Sequence, residues 1–206
     1  MVSSIAGSLA LLPGGVAFAQ QPAQGQHAGH AHGPHGGLLR DALKLDSLSA
    51  EQRSQIEKLV DGHKTAEVPV RQANAQLLTQ LATQVEAAKI DRQALGPSMN
   101  AEASAARNAR TVEVNALSQL HGVLTVVQRN QIVDTIASRL PQGKAVPPVL
   151  DAFRGDSFDA NALVREGKTG ERVVDHAEAK VPSMSAEQRA TFASHLRARA
   201  AKESKV

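Results

Sequence analysis

The chain has 206 residues and a formal net charge of +3, with no Trp, Tyr or Cys and only four Phe. Because aromatic side chains normally bury roughly 150–250 Å² each in a core, this composition predicts thin, aliphatic helix packing. The positive charge is spread along the chain without a Lys/Arg block or an aromatic platform, which argues against nucleic-acid binding. Without Cys there are no disulfides, so packing or partners must hold the fold together.

The N-terminus has the features of a secretion signal. Residues 1–19 contain a short apolar stretch, a Pro-Gly-Gly turn and Ala17-Phe18-Ala19, the small-x-small pattern of a cleavage site. No Lys or Arg precedes Arg40, so the usual basic region is missing and the true start can lie upstream. The apolar run is shorter than the about 20 residues that span a membrane. We predict an exported protein whose residues 1–19 are a signal peptide.

Residues 20–39 form a tract rich in Gly, Ala, Gln and His without apolar periodicity, which predicts disorder. Its four histidines are His27, His30, His32 and His35. Imidazole nitrogens on a flexible tract can wrap a zinc, copper or nickel ion, so these residues are the predicted metal site. The alternative is a solvated tail whose histidines bind nothing.

From residue 40 onward the apolar residues recur with a helical period. One apolar face runs over residues 48–63 and the next over residues 70–88, where Ala88 closes the pattern. Pro69 lies between them, and it either lies in the first turn of the second helix or kinks one longer helix.

The stretch 89–100 has the composition of a turn, in which Asp91 is a plausible helix cap. From about residue 100 an Ala-rich helix is predicted to run toward His121, followed by a further helix over 125–140.

Three segments repeat one pattern: LSAEQRSQI at 48–56, LTVVQRNQI at 124–132 and MSAEQRATF at 184–192. A Ser or Thr followed three residues later by Gln is a capping box, in which the two side chains satisfy the first backbone N–H groups of a helix. The pairs are Ser49 with Gln52, Thr125 with Gln128, and Ser185 with Gln188. Each copy therefore predicts a helix start.

The Pro- and Gly-containing stretch 141–148 predicts a linker after a helical domain over 40–140. Beyond it, FDANAL at 158–163 echoes IDRQAL at 90–95, and each precedes a Gln-Arg box. We interpret residues 149–206 as a shortened, degenerate copy of the preceding helices. The alternative is a chance similarity between short Ala-rich helices.

The pairing of LSAEQRSQI with LTVVQRNQI resembles the LTxxQ-motif proteins of the bacterial periplasm, the Spy/CpxP chaperones and stress modulators and their relatives in zinc resistance and heavy-metal sensing. The resemblance covers about 40–140, with a weaker echo over 158–200. Ser49 and Ser185 replace the motif's Thr, and Met184 replaces its Leu. The resemblance implies an all-α fold: an elongated antiparallel hairpin of four main helices, here with a shorter C-terminal helical segment.

The resemblance also implies a periplasmic homodimer that binds unfolded client proteins without ATP on a basic and apolar surface, with a membrane sensor as a further possible partner. We place the basic part of that surface on Arg71, Arg92, Arg107 and Arg110; the alternative is that each is a solvated Arg on a helix face.

The alternative function is binding or sensing of zinc, copper or nickel through the His tract, with His63, His121, His176 or His195 as further candidates. No Cys nucleophile, G-x-S-x-G, H-E-x-x-H or Gly-rich phosphate loop occurs, so we predict no enzymatic activity and no required cofactor.

Overall fold

A computed structural model describes residues 34–141, 143–163 and 169–205. All regular structure in these residues is helical, which confirms the predicted all-α class. The helices are α1 (Pro34–Ala42), α2 (Ala50–Glu86), α3 (Arg92–Val123), α4 (Val126–Ala137), α5 (Pro148–Arg154), α6 (Ala160–Leu163), α7 (Thr169–Lys180) and α8 (Ala186–Glu203), with a 3₁₀ turn at Val181–Ser183. None of these helices is long and apolar enough to cross a membrane.

Helix α2 joins the two predicted helices on either side of Pro69 into a single helix of 37 residues. Pro69 lacks an N–H and so leaves the carbonyl of Thr65 without its helical partner. Both residues are exposed, so water can replace that bond. The helix continues through the proline because buried residues on both sides of it pack against other helices.

The turn between α2 and α3 closes an antiparallel hairpin. Lys89 N–H donates to the carbonyl of Gln84 (3.2 Å) and Ala88 N–H donates to that of Val85 (3.1 Å), the bonds of a Schellman motif. Ala88 occupies the left-handed position of this motif with φ 58°. It is exposed, so its predicted place on the apolar face of α2 was wrong: a residue beyond the helix end no longer follows the helical period.

Helix α3 starts eight residues earlier than predicted, at Arg92, and the Asp91 side chain caps it as expected by accepting from Ala94 N–H (3.0 Å). The Asp91 backbone N–H also donates to the side-chain oxygen of Gln84 (2.7 Å). These two contacts stabilise a helix start within a segment whose Gly and Pro predicted a turn.

Helix α1 includes residues 34–39, which the sequence analysis placed in the disordered tract. Leu38 and Leu39 are almost fully buried in a cluster formed with α4, the start of α2 and the end of α3. Two leucines after a Gly pair are too short a pattern to predict a helix, and it is this tertiary burial that orders them.

The apolar residues of the hairpin form two separate clusters, one at each end. The proximal core joins the start of α2 and the end of α3 to α1, α4 and α5; among its residues are Ile56, Leu117, Leu120, Ile132, Leu150 and Phe153. The distal core joins the end of α2 and the start of α3 to α7 and α8; its residues on the hairpin include Leu77, Leu78, Leu81, Val85 and Leu95.

Helices α7 and α8 pack along the distal half of the hairpin. Helix α8 runs antiparallel to α2, because Glu203 at its end contacts Asn74 whereas Arg197, which comes earlier in α8, contacts Glu86 at the end of α2. The C-terminal segment therefore covers part of the apolar stripe of α2 within the same chain.

Candidate functional site

All three predicted capping boxes are present. In each, the Gln backbone N–H donates to the hydroxyl of the cap residue, and the Gln side-chain oxygen accepts from the cap residue's own N–H. The donor–acceptor distances lie between 2.8 and 3.3 Å. These boxes begin α2, α4 and α8.

The first two boxes are also bonded to each other. The side-chain amides of Gln52 and Gln128 face one another, with nitrogen–oxygen distances of 3.1 and 3.2 Å. Gln52 Nε2 donates further to the carbonyl of Val123 (2.8 Å), and Gln128 Nε2 donates to that of Ser47 (2.9 Å). Each Gln thus reaches the carbonyl two residues before the other box's cap. We call this reciprocal pair the glutamine clasp.

The arginine that follows each Gln has a shared role that the sequence analysis missed. Arg53 donates to the carbonyls of Leu43 (2.8 Å) and Leu45 (3.1 Å), which lie in the chain just before its box. Arg129 donates likewise to the carbonyl of Leu124 (3.2 Å), and Arg189 to that of Met184 (2.7 Å). The recurring Gln-Arg pair therefore caps the helix and holds the incoming chain.

The third box differs from the other two. Gln188 is exposed, and among the described residues its side chain bonds only its own cap residue, Ser185. Helix α8 consequently carries a self-contained cap, whereas the caps of α2 and α4 depend on each other.

The four arginines predicted to bind clients do not form one open basic patch. Arg71 pairs with Glu67 on the same helix (2.6 Å). Arg92 pairs with acidic residues of α7, at 2.6 Å from Asp175 and 2.9 Å from Glu178.

The other two predicted client-binding arginines lie on α3. Arg110 donates to the carbonyl of Asn161 (3.1 Å), and Arg107 is exposed. The C-terminal part of the chain thus engages Arg92 and Arg110.

Between the two cores, the hairpin contains half-buried charged and polar side chains. We call this set the polar layer: His63, Glu67 and Arg71 on α2 with Arg110 and Glu113 on α3. Burial raises the pKa of Glu113, the negative charge of Glu67 raises it further, and Arg110 opposes the shift. His63 Nδ1 lies 3.7 Å from a carboxylate oxygen of Glu67. The apolar periodicity of the sequence could not predict the polar layer, because the polar layer interrupts the apolar stripe.

A second buried carboxylate meets the C-terminal segment. Glu102 of α3 is 6% exposed and accepts a hydrogen bond from the backbone N–H of Gly170 in the first turn of α7. Burial raises the pKa of Glu102 and this hydrogen bond lowers it. Glycine allows this approach without displacing either side chain, because a Cβ at position 170 would lie 2.8 Å from both Leu77 Cδ2 and Glu102 Oε2.

Three of the four tract histidines, His27, His30 and His32, lie outside the described residues, and the backbone of His35 is in the first turn of α1. Elsewhere, His121 Nε2 lies 2.9 Å from the carbonyl of Gly155. Its ring also stacks on Phe158 at 5.3 Å, so this histidine holds the segment after α5 against α3.

Two further histidines belong to the C-terminal segment. His176 packs edge-on to Phe192 at 6.1 Å, and His195 lines a shallow groove with Phe192 and Met184. Within residues 34–141, 143–163 and 169–205 no three His, Asp or Glu side chains are placed to hold a metal ion together.

Comparison with models of protein families, with curated proteins and with solved structures finds no match to this chain. The likeness to LTxxQ-motif proteins therefore rests on the residues quoted above.

Proposed function

We propose that this protein is a periplasmic, ATP-independent chaperone or envelope-stress modulator of the Spy/CpxP kind, which binds unfolded or misfolded proteins. In this proposal the elongated hairpin consists of α2, α3 and α4, where α2 unites the first two of the four predicted helices. The observation that carries the proposal is the glutamine clasp: two LTxxQ-type boxes, with their glutamines 76 residues apart, act as one bonded unit at the base of a long α2–α3 pair.

The proposed binding surface combines aliphatic side chains of the hairpin with arginines near it. The distal hairpin carries a continuous row of aliphatic residues on α2, and Arg92 and Arg107 lie on the neighbouring helix. Aliphatic surface flanked by positive charge suits the exposed apolar segments of unfolded chains. Export, as the N-terminal pattern predicts, would bring the protein to clients in the periplasm.

We also propose that the protein forms a homodimer, but through a surface other than the distal apolar stripe of the hairpin. The distal stripe is covered by α8 within the chain, so a second copy would instead have to cover exposed residues such as Val126 and Val127 on α4, which are 46% and 66% exposed. Sedimentation of the chain from residue 20 at micromolar concentration measures this directly. A strictly monomeric protein would remove the dimer from the proposal.

The decisive experiment is suppression of client aggregation. A chemically denatured enzyme is diluted into buffer with and without this protein, and light scattering is followed without ATP. We expect scattering to fall as the protein approaches equimolar amounts, while an unrelated helical protein of the same charge leaves it unchanged. Undiminished scattering at a several-fold excess would reject the chaperone function.

A second candidate function is metal binding or sensing, which the four histidines within residues 27–35 favour. Calorimetric titration with zinc, copper or nickel, on the intact chain and on a chain lacking residues 27–35, tests it. Metal binding that disappears with the deletion while client protection survives would separate the two functions. Tight binding that survives the deletion would move the metal site to the helical body.

A further inference from the structure

The distal core is built from unequal partners. The hairpin buries mainly leucines, whereas half of the buried residues of the C-terminal segment are alanines: Val174, Ala177, Val181, Ala193, Leu196 and Ala200. Its larger side chains Met184 and Phe192 are only partly buried. The stabilisation by burial grows with the apolar area removed from water, so each alanine adds little. The C-terminal helices thus cover a surface that is richer in apolar atoms than they are.

Two polar groups of the hairpin, Asn74 and Glu102, are buried beneath these helices, and the hydrogen bonding of Asn74 is incomplete. Asn74 Nδ2 donates to Glu203 (3.1 Å), but no donor among the described residues reaches Asn74 Oδ1. Glu102 is buried with its carboxylate against Gly170. An unsatisfied buried polar atom destabilises the structure that buries it, because the atom has lost its hydrogen bonds to water. Detachment of the C-terminal helices would return both groups to water.

The rim of the contact consists of exposed ion pairs. Arg197 of α8 binds both carboxylate oxygens of Glu86, and Arg92 binds Asp175 and Glu178 of α7. Exposed pairs of this kind are screened by solvent and contribute little stability. The Arg197–Glu86 pair helps to fix the register of α8 on α2 but adds little to the strength of the attachment.

Both sides of the contact have the means to stay folded when it opens. Helix α8 keeps its cap, because the Ser185–Gln188 bonds are local. The hairpin keeps the proximal core and the glutamine clasp, which lie beyond the polar layer at the other end.

We propose that α7 and α8 form a detachable intramolecular cover over the apolar face of the distal hairpin, and that unfolded client segments bind this face when the cover is displaced. This inference rests on the proposed chaperone function and assigns its binding surface and its regulation. Client segments with larger apolar side chains compete with a cover made largely of Ala and Val. Client binding is then weak until unfolded chains are abundant enough to displace the cover.

The test combines two loosening variants with a charge-swap control. Arg197→Glu places a repelling charge opposite Glu86, and Leu196→Ala removes the largest apolar side chain that α8 buries. The double variant Glu86→Arg, Arg197→Glu restores an ion pair of opposite polarity. Amide hydrogen exchange is measured by segment in the full chain, and suppression of client aggregation is measured at equal protein concentration.

We expect both loosening variants to speed exchange in α8 several-fold while amides around Ile56 and Leu117 in the proximal core keep their protection. Client protection should rise in the same variants, and the charge swap should return both measurements toward the parent protein. Added client should also speed exchange in α8 of the parent protein, because it displaces the cover.

Three outcomes would contradict the proposal that α7 and α8 form a detachable cover. Unchanged α8 exchange in both loosening variants means that the attachment is not marginal. Proximal amides that exchange in step with α8 mean that the segment is an integral part of one core. Faster α8 exchange without a gain in client protection means that α8 does not block the binding face. If neither the parent nor any variant protects clients, the chaperone function itself fails, while the exchange data still show whether the segment detaches.

Discussion

Truncation of Gln128 to Ala tests whether the two boxes act as one unit. The Gln128 side chain is buried, and its oxygen accepts from the Thr125 backbone N–H (2.9 Å) and from Gln52 Nε2 (3.1 Å). Its nitrogen donates to the Ser47 carbonyl (2.9 Å) and to Gln52 Oε1 (3.2 Å). At about 0.5–1.5 kcal/mol net per hydrogen bond, losing these four bonds should lower the free energy of unfolding by about 2–6 kcal/mol.

Gln188→Ala is the matched control, because it removes the same residue from the same position of the third box. That side chain is exposed and bonds only its own cap among the described residues. We expect a loss of about 0.5–1 kcal/mol, the usual scale of one exposed helix cap. The difference between the two variants measures what the clasp adds to ordinary capping.

Urea unfolding followed by far-ultraviolet circular dichroism is the assay, since the chain has no Trp or Tyr to report by fluorescence. A double-mutant cycle with Gln52→Ala should show a coupling of about 1 kcal/mol, because each single variant already breaks the bonds between the two amides. Equal losses for Gln128→Ala and Gln188→Ala, together with additive effects of Gln52→Ala and Gln128→Ala, would refute the clasp.

Three other changes are predicted to alter stability. Ala88→Gly should raise the unfolding free energy by about 0.5–1 kcal/mol, because glycine adopts the left-handed backbone without the penalty of an L side chain; Ala87→Gly, one residue earlier with ordinary φ, should lower it in the same denaturation assay. Thr125→Ala should lower it by about 0.5–2 kcal/mol through loss of the cap, and Thr125→Ser should recover most of the loss. Protonated Glu113, whose folded pKa is raised by burial and by Glu67, contributes stability that is fully present below its unfolded pKa and is lost as pH rises through the folded value. Glu113→Gln should therefore melt higher than the parent at neutral pH, and the gain should vanish as pH falls to the ordinary carboxyl value of 4.5; a gain that persists in acid would contradict this assignment.

Local features of this fold were predictable from the sequence because their causes lie within a few residues. Each capping box needs only its own Ser or Thr and Gln, and the Asp91 cap needs only Ala94 N–H. The apolar faces around Ile56 and Leu81 followed from the helical period, and both residues are fully buried.

Features set by distant parts of the chain were not predictable in the same way. No local sequence pattern predicts the bond between Gln52 and Gln128 or the packing of α8 on α2. The same holds for the tertiary packing that keeps α2 continuous through Pro69. The polar layer was missed for a related reason: Glu113 is held between helices that each look amphipathic alone. An arginine follows the Gln of each box, and helix capping does not explain why it recurs. This recurrence was the sequence signal that could have predicted the bonds from Arg53 to the preceding carbonyls.

The long stretch of chain between α2 and the helix that covers it has a consequence for biosynthesis. Translation proceeds at roughly 5–20 residues per second, and over a hundred residues separate Glu86, where α2 ends, from Glu203, where α8 ends. The leucines of α2 are therefore synthesised on the order of ten seconds before α8, the last helix of the distal core, is complete. Throughout that interval the growing polypeptide presents the same aliphatic row that we assign to clients, and the ribosome-bound intermediate is the species in which this row is fully open to other chains.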